Sequence, residues 1–329
     1  MRSVFLLIFA TAFSAYAYAQ RTAGLTHRPD TSFTNYSAFK NAVKKYPQIK
    51  LVTDTVSPNV RIDKDNYYFN AVQEPMRMAV FSPRSKVRKR YPAIIIIHGG
   101  GWRSGSPSQH FPLAERLAEK GFICFVPAYR LSTVALYPAA VQDLKLAIRM
   151  VRTRSRKYEV DTNKVAVLGF SAGGQLAALL GTTGKDTLFS LSNRGLLTYG
   201  APVQAIVDID GILAFIHPES AEGDDSKSVS AATNWFGYTK IQRPDLWKQA
   251  SALTYAGPST PPTLFINSSV DRMHAGRQDY IDTLNKYHIY TEVHSFPDSP
   301  HPFCLFEPWF TPTVNYITDF LDKVFADRR

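Results

Sequence analysis

Cysteine is nearly missing from this chain of 329 residues: only Cys124 and Cys304 are present. That excludes a disulfide-built scaffold, and Cys124, inside the strand-like "GFICFVPAY", reads as a buried free thiol, with a single disulfide to Cys304 as the alternative. No Cys/His cluster has metal-ligand spacing, so no metal and no cofactor is expected. Low-complexity tracts and internal repeats are also absent, and a composition of 45% apolar and 20% charged residues suits a globular core. Acidic residues are in deficit, with a formal net charge of +11. No nucleic-acid recognition module accompanies that charge, which favours a polyanionic partner such as an acidic polysaccharide.

One apolar run stands out, Val4 to Ala15, behind Met1-Arg2 and ahead of the small-x-small site Ala17-Tyr18-Ala19. It is too short for a membrane span and reads as a signal peptide over residues 1–19. Export to the periplasm or outside the cell is therefore expected. Cleavage removes only Arg2 among charged residues and leaves +10. Residues 20–329 are expected to form one domain, and no obligate protein partner is evident.

From Tyr91 onward, strand-like and helix-like segments alternate. "AIIIIH" is a β-branched run of the kind buried on both faces of a parallel sheet. "FPLAERLAEKG" reads as a helix, "FICFVPAY" as a strand, and "AAVQDLKLAIRMVRTRSRKY" as a long amphipathic helix. "KVAVLGF", "VQAIVDID", "PTLFINSS" and "YTEVHSF" continue the strands; "AGGQLAALLG", "GRQDYIDTLNKY" and "TVNYITDFLDKVF" continue the helices. This alternation predicts an α/β fold, a mostly parallel central sheet with helices on both faces. Residues 50 to 83 read as antiparallel edge strands. Residues 213–256 break the rhythm and read as an irregular, lid-like insertion.

The chemistry concentrates in "VLGFSAGG", where Ser171 lies between Gly169 and Gly173 at a strand-to-helix junction. A serine at so sharp a turn projects its Oγ from the sheet edge, with a helix N-terminus behind it. Acyl transfer through a serine creates an oxyanion that needs preorganised donors. Gly100 and Gly101 in "HGGGW" can offer bare N–H groups, and Ala172 can add a third. His98, at the strand end, reads as orienting that loop.

The pair "HGGGW" and "GFSAGG" resembles the α/β-hydrolase fold, within the hormone-sensitive-lipase-like esterases, from about residue 50 to the end. The resemblance implies a triad in the order serine, acid, histidine. His301, in the loop "FPDSPHPF", is then the expected base, while His294, His288 and His217 fit less well. Asp271 is the expected acid, with Asp279, Asp210 and Asp208 as rivals. The segments "ATNWFG", "INSSVDRMHAGR", "EVHSFPDSPHPF" and "FEPWFTPTVNYITDFLDKVF" resemble secreted carbohydrate esterases of Bacteroidetes. Within these the chain is most similar to α/β-hydrolase pectin methylesterases, with acetyl xylan and feruloyl esterases as neighbours.

The expected substrate is thus a polysaccharide or oligosaccharide ester, uronate-rich and methyl-esterified, with acetyl or feruloyl esters as the alternative. Arg103, Arg130, Arg272 and Arg277 fall near the catalytic edge and could bind uronate carboxylates. Trp102 and Trp235 could stack on sugar rings, and His274 could touch substrate. A module that binds polyanions without catalysis is the alternative of another class; an intact nucleophile and base speak against it.

Overall fold

The four isoleucines Ile94–Ile97 cannot all face one way, because successive strand side chains point to opposite sides. Ile95 and Ile97 enter one hydrophobic core, and Ile94 and Ile96 enter another. The sheet therefore has a core on each face, and no polar face along its central strand.

The computed structural model describes residues 19–326 apart from 29, 71, 86, 88, 185–188 and 190–200. The expected signal peptide, but for its last residue, lies outside the described residues. Eight strands form the main path of the sheet: β1 (Val60–Asp63), β2 (Pro75–Pro83), β3 (Tyr91–Ile97), β4 (Ile123–Pro127), β5 (Val160–Phe170), β6 (Ala205–Ile209), β7 (Thr263–Asn267) and β8 (Thr291–Ser295). Their spatial order is β8-β7-β6-β5-β3-β4-β2-β1. β3 to β8 pair in parallel, while β1 and β2 form the expected antiparallel edge. A short strand, Tyr67–Phe69, pairs with the first half of β2.

Five helices cover the faces: α1 (Phe111–Glu119), α2 (Ala139–Thr153), α3 (Ala172–Thr182), α4 (Arg277–Lys286) and α5 (Phe310–Ala326). Leu113 and Leu117 of α1 and Ile317, Phe320 and Leu321 of α5 share the core of Ile94 and Ile96. Leu144 and Ile148 of α2, Leu176 and Leu180 of α3, and Tyr280 and Leu284 of α4 share the core of Ile95 and Ile97. Every apolar helix stripe thus has a partner on the sheet.

Register is what places the site. Ile97 is level with Gly169, Phe170 with Ile209, Ile209 with Ile266, and Ile266 with His294. The loops that follow β3, β5, β6, β7 and β8 consequently leave the sheet along one edge, the carboxyl edge where ligands bind in such sheets.

The insertion at 213–256 is more regular than its polar sequence suggests. Ala231–Phe236 and Pro244–Gln249 form two short helices, followed by a 3₁₀ turn at Ala252–Tyr255. Ser230 caps the first by accepting from the Thr233 N–H, and Pro244 opens the second. Trp235, Phe236 and Trp247 bury themselves in the core rather than in solvent.

Candidate active site

Ser171 follows β5 in a backbone conformation, φ 57° and ψ −122°, that ordinary side chains avoid. The flanking glycines make the turn possible. A Cβ on Gly169 would lie 1.9 Å from the Gly173 carbonyl oxygen, so no larger residue fits there. The Ser171 N–H donates to the Ile209 carbonyl at 2.8 Å, which ties the serine to the end of β6.

The next residue along β6 is Asp210, fully buried, with φ 53°. His301 connects the two. Its Nε2 accepts from the Ser171 hydroxyl at 2.8 Å, and its Nδ1–H donates to Asp210 Oδ2 at 2.9 Å. Phe170 flanks the imidazole, with ring centroids 4.9 Å apart. The loop that carries His301 is held by the Ser269 hydroxyl, which donates to the Ser299 carbonyl at 2.8 Å.

Asp210 keeps its charge despite its surroundings. Burial alone would raise its pKa. Interactions with His274 and His301 and the bond to Ser268 outweigh burial and hold the carboxyl well below the usual range. Its Oδ1 accepts from the Ser268 N–H at 2.8 Å and lies 3.6 Å from His274 Nε2. His274 therefore backs the acid rather than meeting a substrate.

This corrects the expected acid. Asp271 lies beyond β7 on a 3₁₀ turn, Asp271–His274, while the carboxylate on His301 belongs to Asp210. The reason is strand adjacency: β6 neighbours β5, and β7 lies one strand further from the serine. Asp279 is also elsewhere, with Oδ2 3.2 Å from His217 Nε2. Asp208 turns inward, where burial pushes its carboxyl well above the usual range and Oδ1 accepts from the Gly211 N–H.

Facing the serine is the loop after β3. Its backbone passes through positive φ at Gly100 (118°), Gly101 (59°) and Trp102 (57°). A Cβ on Gly100 would meet the Ser104 carbonyl oxygen at 2.3 Å, since the turn closes there. Among the described residues, no acceptor engages the N–H groups of Gly100, Gly101 or Ala172. All three residues line one pocket with Ser171 and His301. The loop is braced from behind: Gly99 N–H donates to Gln109 Oε1 at 2.7 Å, and His98 Nδ1–H donates to the Gly99 carbonyl. Burial pushes the His98 imidazole down to about 4, so it stays neutral under its stacked partner Tyr129.

The pocket measures about 250 Å³. The tryptophans stack on each other, centroids 4.9 Å apart, with Trp102 Nε1–H donating to Gln175 Oε1. Trp102 borders the pocket, but Trp235 is wholly buried beneath it and offers no face to a sugar.

Three of the four arginines are drawn elsewhere by acceptors. Arg103 donates through Nε to Asp30 at 2.7 Å. Arg130 forms a two-pronged bond to Asp143, at 2.8 and 2.7 Å. Arg277 donates to Asn267 Oδ1. Only Arg272 lines the pocket, and its Nη1 lies 3.3 Å from Glu222 Oε1.

Glu222 itself escapes sequence reasoning, for nothing in "ESAEGDD" marks one acidic residue among several. Burial pushes its carboxyl above the usual range against the opposing charge of Arg272. Gln175 was more accessible to reasoning: it lies one helical turn after Ser171, on the same face.

Comparison with known proteins bears on the family and the fold. The BD-FAE family model matches residues 78–279. Esterase LipC of Mycobacterium tuberculosis (strain ATCC 25618 / H37Rv) is 26% identical over 253 residues, 73% of this chain and 60% of its own length. Carboxylesterase NlhH of the same strain is 29% identical over 157 residues, 47% of this chain and 48% of its own. The chain thus spans 60% of LipC and about half of NlhH. A fungal esterase structure from Rhizomucor miehei superimposes with a TM-score of 0.67 at 20% identity, covering 94% of this chain and 96% of that one. A truncated carbohydrate esterase from gut microbiota gives 0.65 at 22% identity, covering 80% and 97%. These likenesses establish the α/β-hydrolase fold. Since the matched family model takes in more than half of the residues, the chain belongs to the BD-FAE family.

Proposed function

We propose that the chain hydrolyses carboxylic esters through an acyl-enzyme on Ser171. The observation that carries this reading is the continuous hydrogen-bonded line from Ser171 Oγ through His301 to buried Asp210, at 2.8 and 2.9 Å. The Oγ attacks the ester carbonyl as His301 Nε2 takes the hydroxyl proton. The resulting oxyanion turns toward the N–H groups of Gly100, Gly101 and Ala172. His301 returns the proton to the departing alkoxide, and the alcohol leaves. Water then repeats the sequence on the acyl-enzyme and releases the acid.

The ester is proposed to be carried by a carbohydrate, and the chain to be exported by the leader at residues 1–19. A short acyl group such as acetate suits a pocket of about 250 Å³. The second reading is a galacturonate methyl ester, with Arg272 as the one lysine or arginine at the pocket among the described residues. Arg103 and Arg130 no longer speak for it, because Asp30 and Asp143 already hold them.

A fluorophosphonate probe should label the wild-type protein and leave Ser171→Ala unlabelled. A folded wild type that resists labelling would return the chain to the class of non-catalytic modules. Incubation with acetylated xylan, acetylated pectin and methylated pectin, followed by assay of acetate and methanol, separates the substrates. Acetate without methanol selects the first reading, and methanol without acetate the second.

A further inference from the structure

Phe33 belongs to two cavities at once. It lines the catalytic pocket, and it also lines a neighbouring groove of about 520 Å³. The groove runs between the N-terminal segment, the stretch 51–54 and the turn after the glycine loop. The chemistry described above uses none of it. We infer that this groove is a subsite for neutral sugar units on the saccharide part of the substrate, an inference that rests on the carbohydrate-ester reading.

Adjacency is the first support: Phe33 lines both cavities, so a saccharide that passes it on leaving the catalytic pocket would reach the groove. Charge is the second. Among the described residues, no lysine or arginine lines the groove. Its two carboxylates are already matched, Asp30 with Arg103 at 2.7 Å and Asp54 with Lys64 at 3.6 Å. A uronate there would face carboxylates with no free cation, whereas an uncharged sugar would meet only paired charges. The third support is the lining itself. Tyr36, at the start of the helix Asn35–Ala42, is 63% exposed. One exposed tyrosine is unremarkable on a surface. Here it borders a groove that shares Phe33 with the nucleophile's pocket, where its ring can cover the C–H face of a sugar. Ser106 and Ser108, exposed and bonded to each other at 2.8 Å, present hydroxyls that both donate and accept.

Binding can be tested without turnover. Ser171→Ala protein would be titrated with xylo-, manno- and gluco-oligosaccharides and with oligogalacturonate, following tyrosine signals by NMR. At least one neutral oligosaccharide should bind, and adding Tyr36→Ala should weaken it about tenfold, the order expected for loss of a ring contact. In the active protein, Tyr36→Ala should lower kcat/KM for the acetylated form of that oligosaccharide, relative to p-nitrophenyl acetate, by a similar factor. Thr53→Trp, which fills the groove from its exposed wall, should do the same. Failure of every neutral oligosaccharide to bind, or tighter binding of oligogalacturonate, overturns the subsite. So does an unchanged ratio in both variants. Loss of the carbohydrate-ester reading would look different: the probe would label Ser171 while no saccharide ester was hydrolysed.

Discussion

At the scale of single residues, the two aspartates Asp210 and Asp271 make opposite predictions. Asp210 is buried, charged and bonded to His301, so it fixes the imidazole tautomer and stabilises the imidazolium. Asp210→Asn keeps the shape but leaves an amide where an acceptor is needed, and kcat for a small ester should fall by about 10³–10⁴-fold. Asp271→Asn, on its 3₁₀ turn, should leave kcat unchanged. Equal effects in the two variants would refute the assignment of the acid. Glu222 and Arg272 give a second test. With Glu222→Gln the guanidinium at the pocket loses its counter-charge. The ratio of kcat/KM for a methyl galacturonate over a neutral acetate should then rise, by about fivefold for a gain of about 1 kcal/mol. A ratio that stays put would show that Arg272 does not reach the substrate.

At the scale of elements, the N-terminal segment is part of the site's frame. Its backbone meets the insertion where the Arg21 N–H donates to the Gly237 carbonyl, and Asp30 bridges to Ser104 beside the glycine loop. The half-buried pair Arg103–Asp30 fastens that bridge. Arg103→Ala should cost about 1 kcal/mol in urea unfolding, and Asp30→Asn a similar amount. The double variant should cost little more than either alone, since both remove one contact. Additive losses would mean that the two side chains act separately.

The same element shows where sequence reading stops. Ser171 was legible because its signal is local: two glycines, a strand before and a helix after. His301 followed from the triad order that the family resemblance implies, which points to the loop between the last strand and the last helix. The acid was not legible, because Asp210 and Asp271 both lie in segments that follow strands, and only the sheet order tells which strand lies beside the serine. Arg103 misled for a related reason. Its nearness to the glycine loop along the chain was real, but Asp30, 73 residues earlier, captures its guanidinium. Contacts of that span leave no local pattern.

At the scale of the whole molecule, two buried histidines set a limit on acid stability. Burial pushes His98 down to about 4 and His110 down to about 3, so both are neutral in the fold. Either ring gains a proton more readily once the chain unfolds. A folded pKa below the unfolded value means that stability is complete above about 6.5 and declines as pH falls toward the folded values. At pH 5 each histidine should have removed about 2 kcal/mol, from about 1.4 kcal/mol per unit. Asp208 acts in the opposite sense, since its raised pKa favours the fold at lower pH, so wild-type stability alone cannot isolate the effect. His110 can be isolated by substitution. Among the described residues neither of its ring nitrogens has a hydrogen-bond partner, and it packs edge-on against Phe170, which belongs to the core of Ile94 and Ile96. His110→Leu removes the titrating group and no hydrogen bond. Between pH 8 and pH 5, wild type should lose about 2 kcal/mol more in urea unfolding than His110→Leu does, with Asp208 cancelling from the difference. Parallel stability curves for the two proteins would show that His110 does not titrate differently in the folded and unfolded chain.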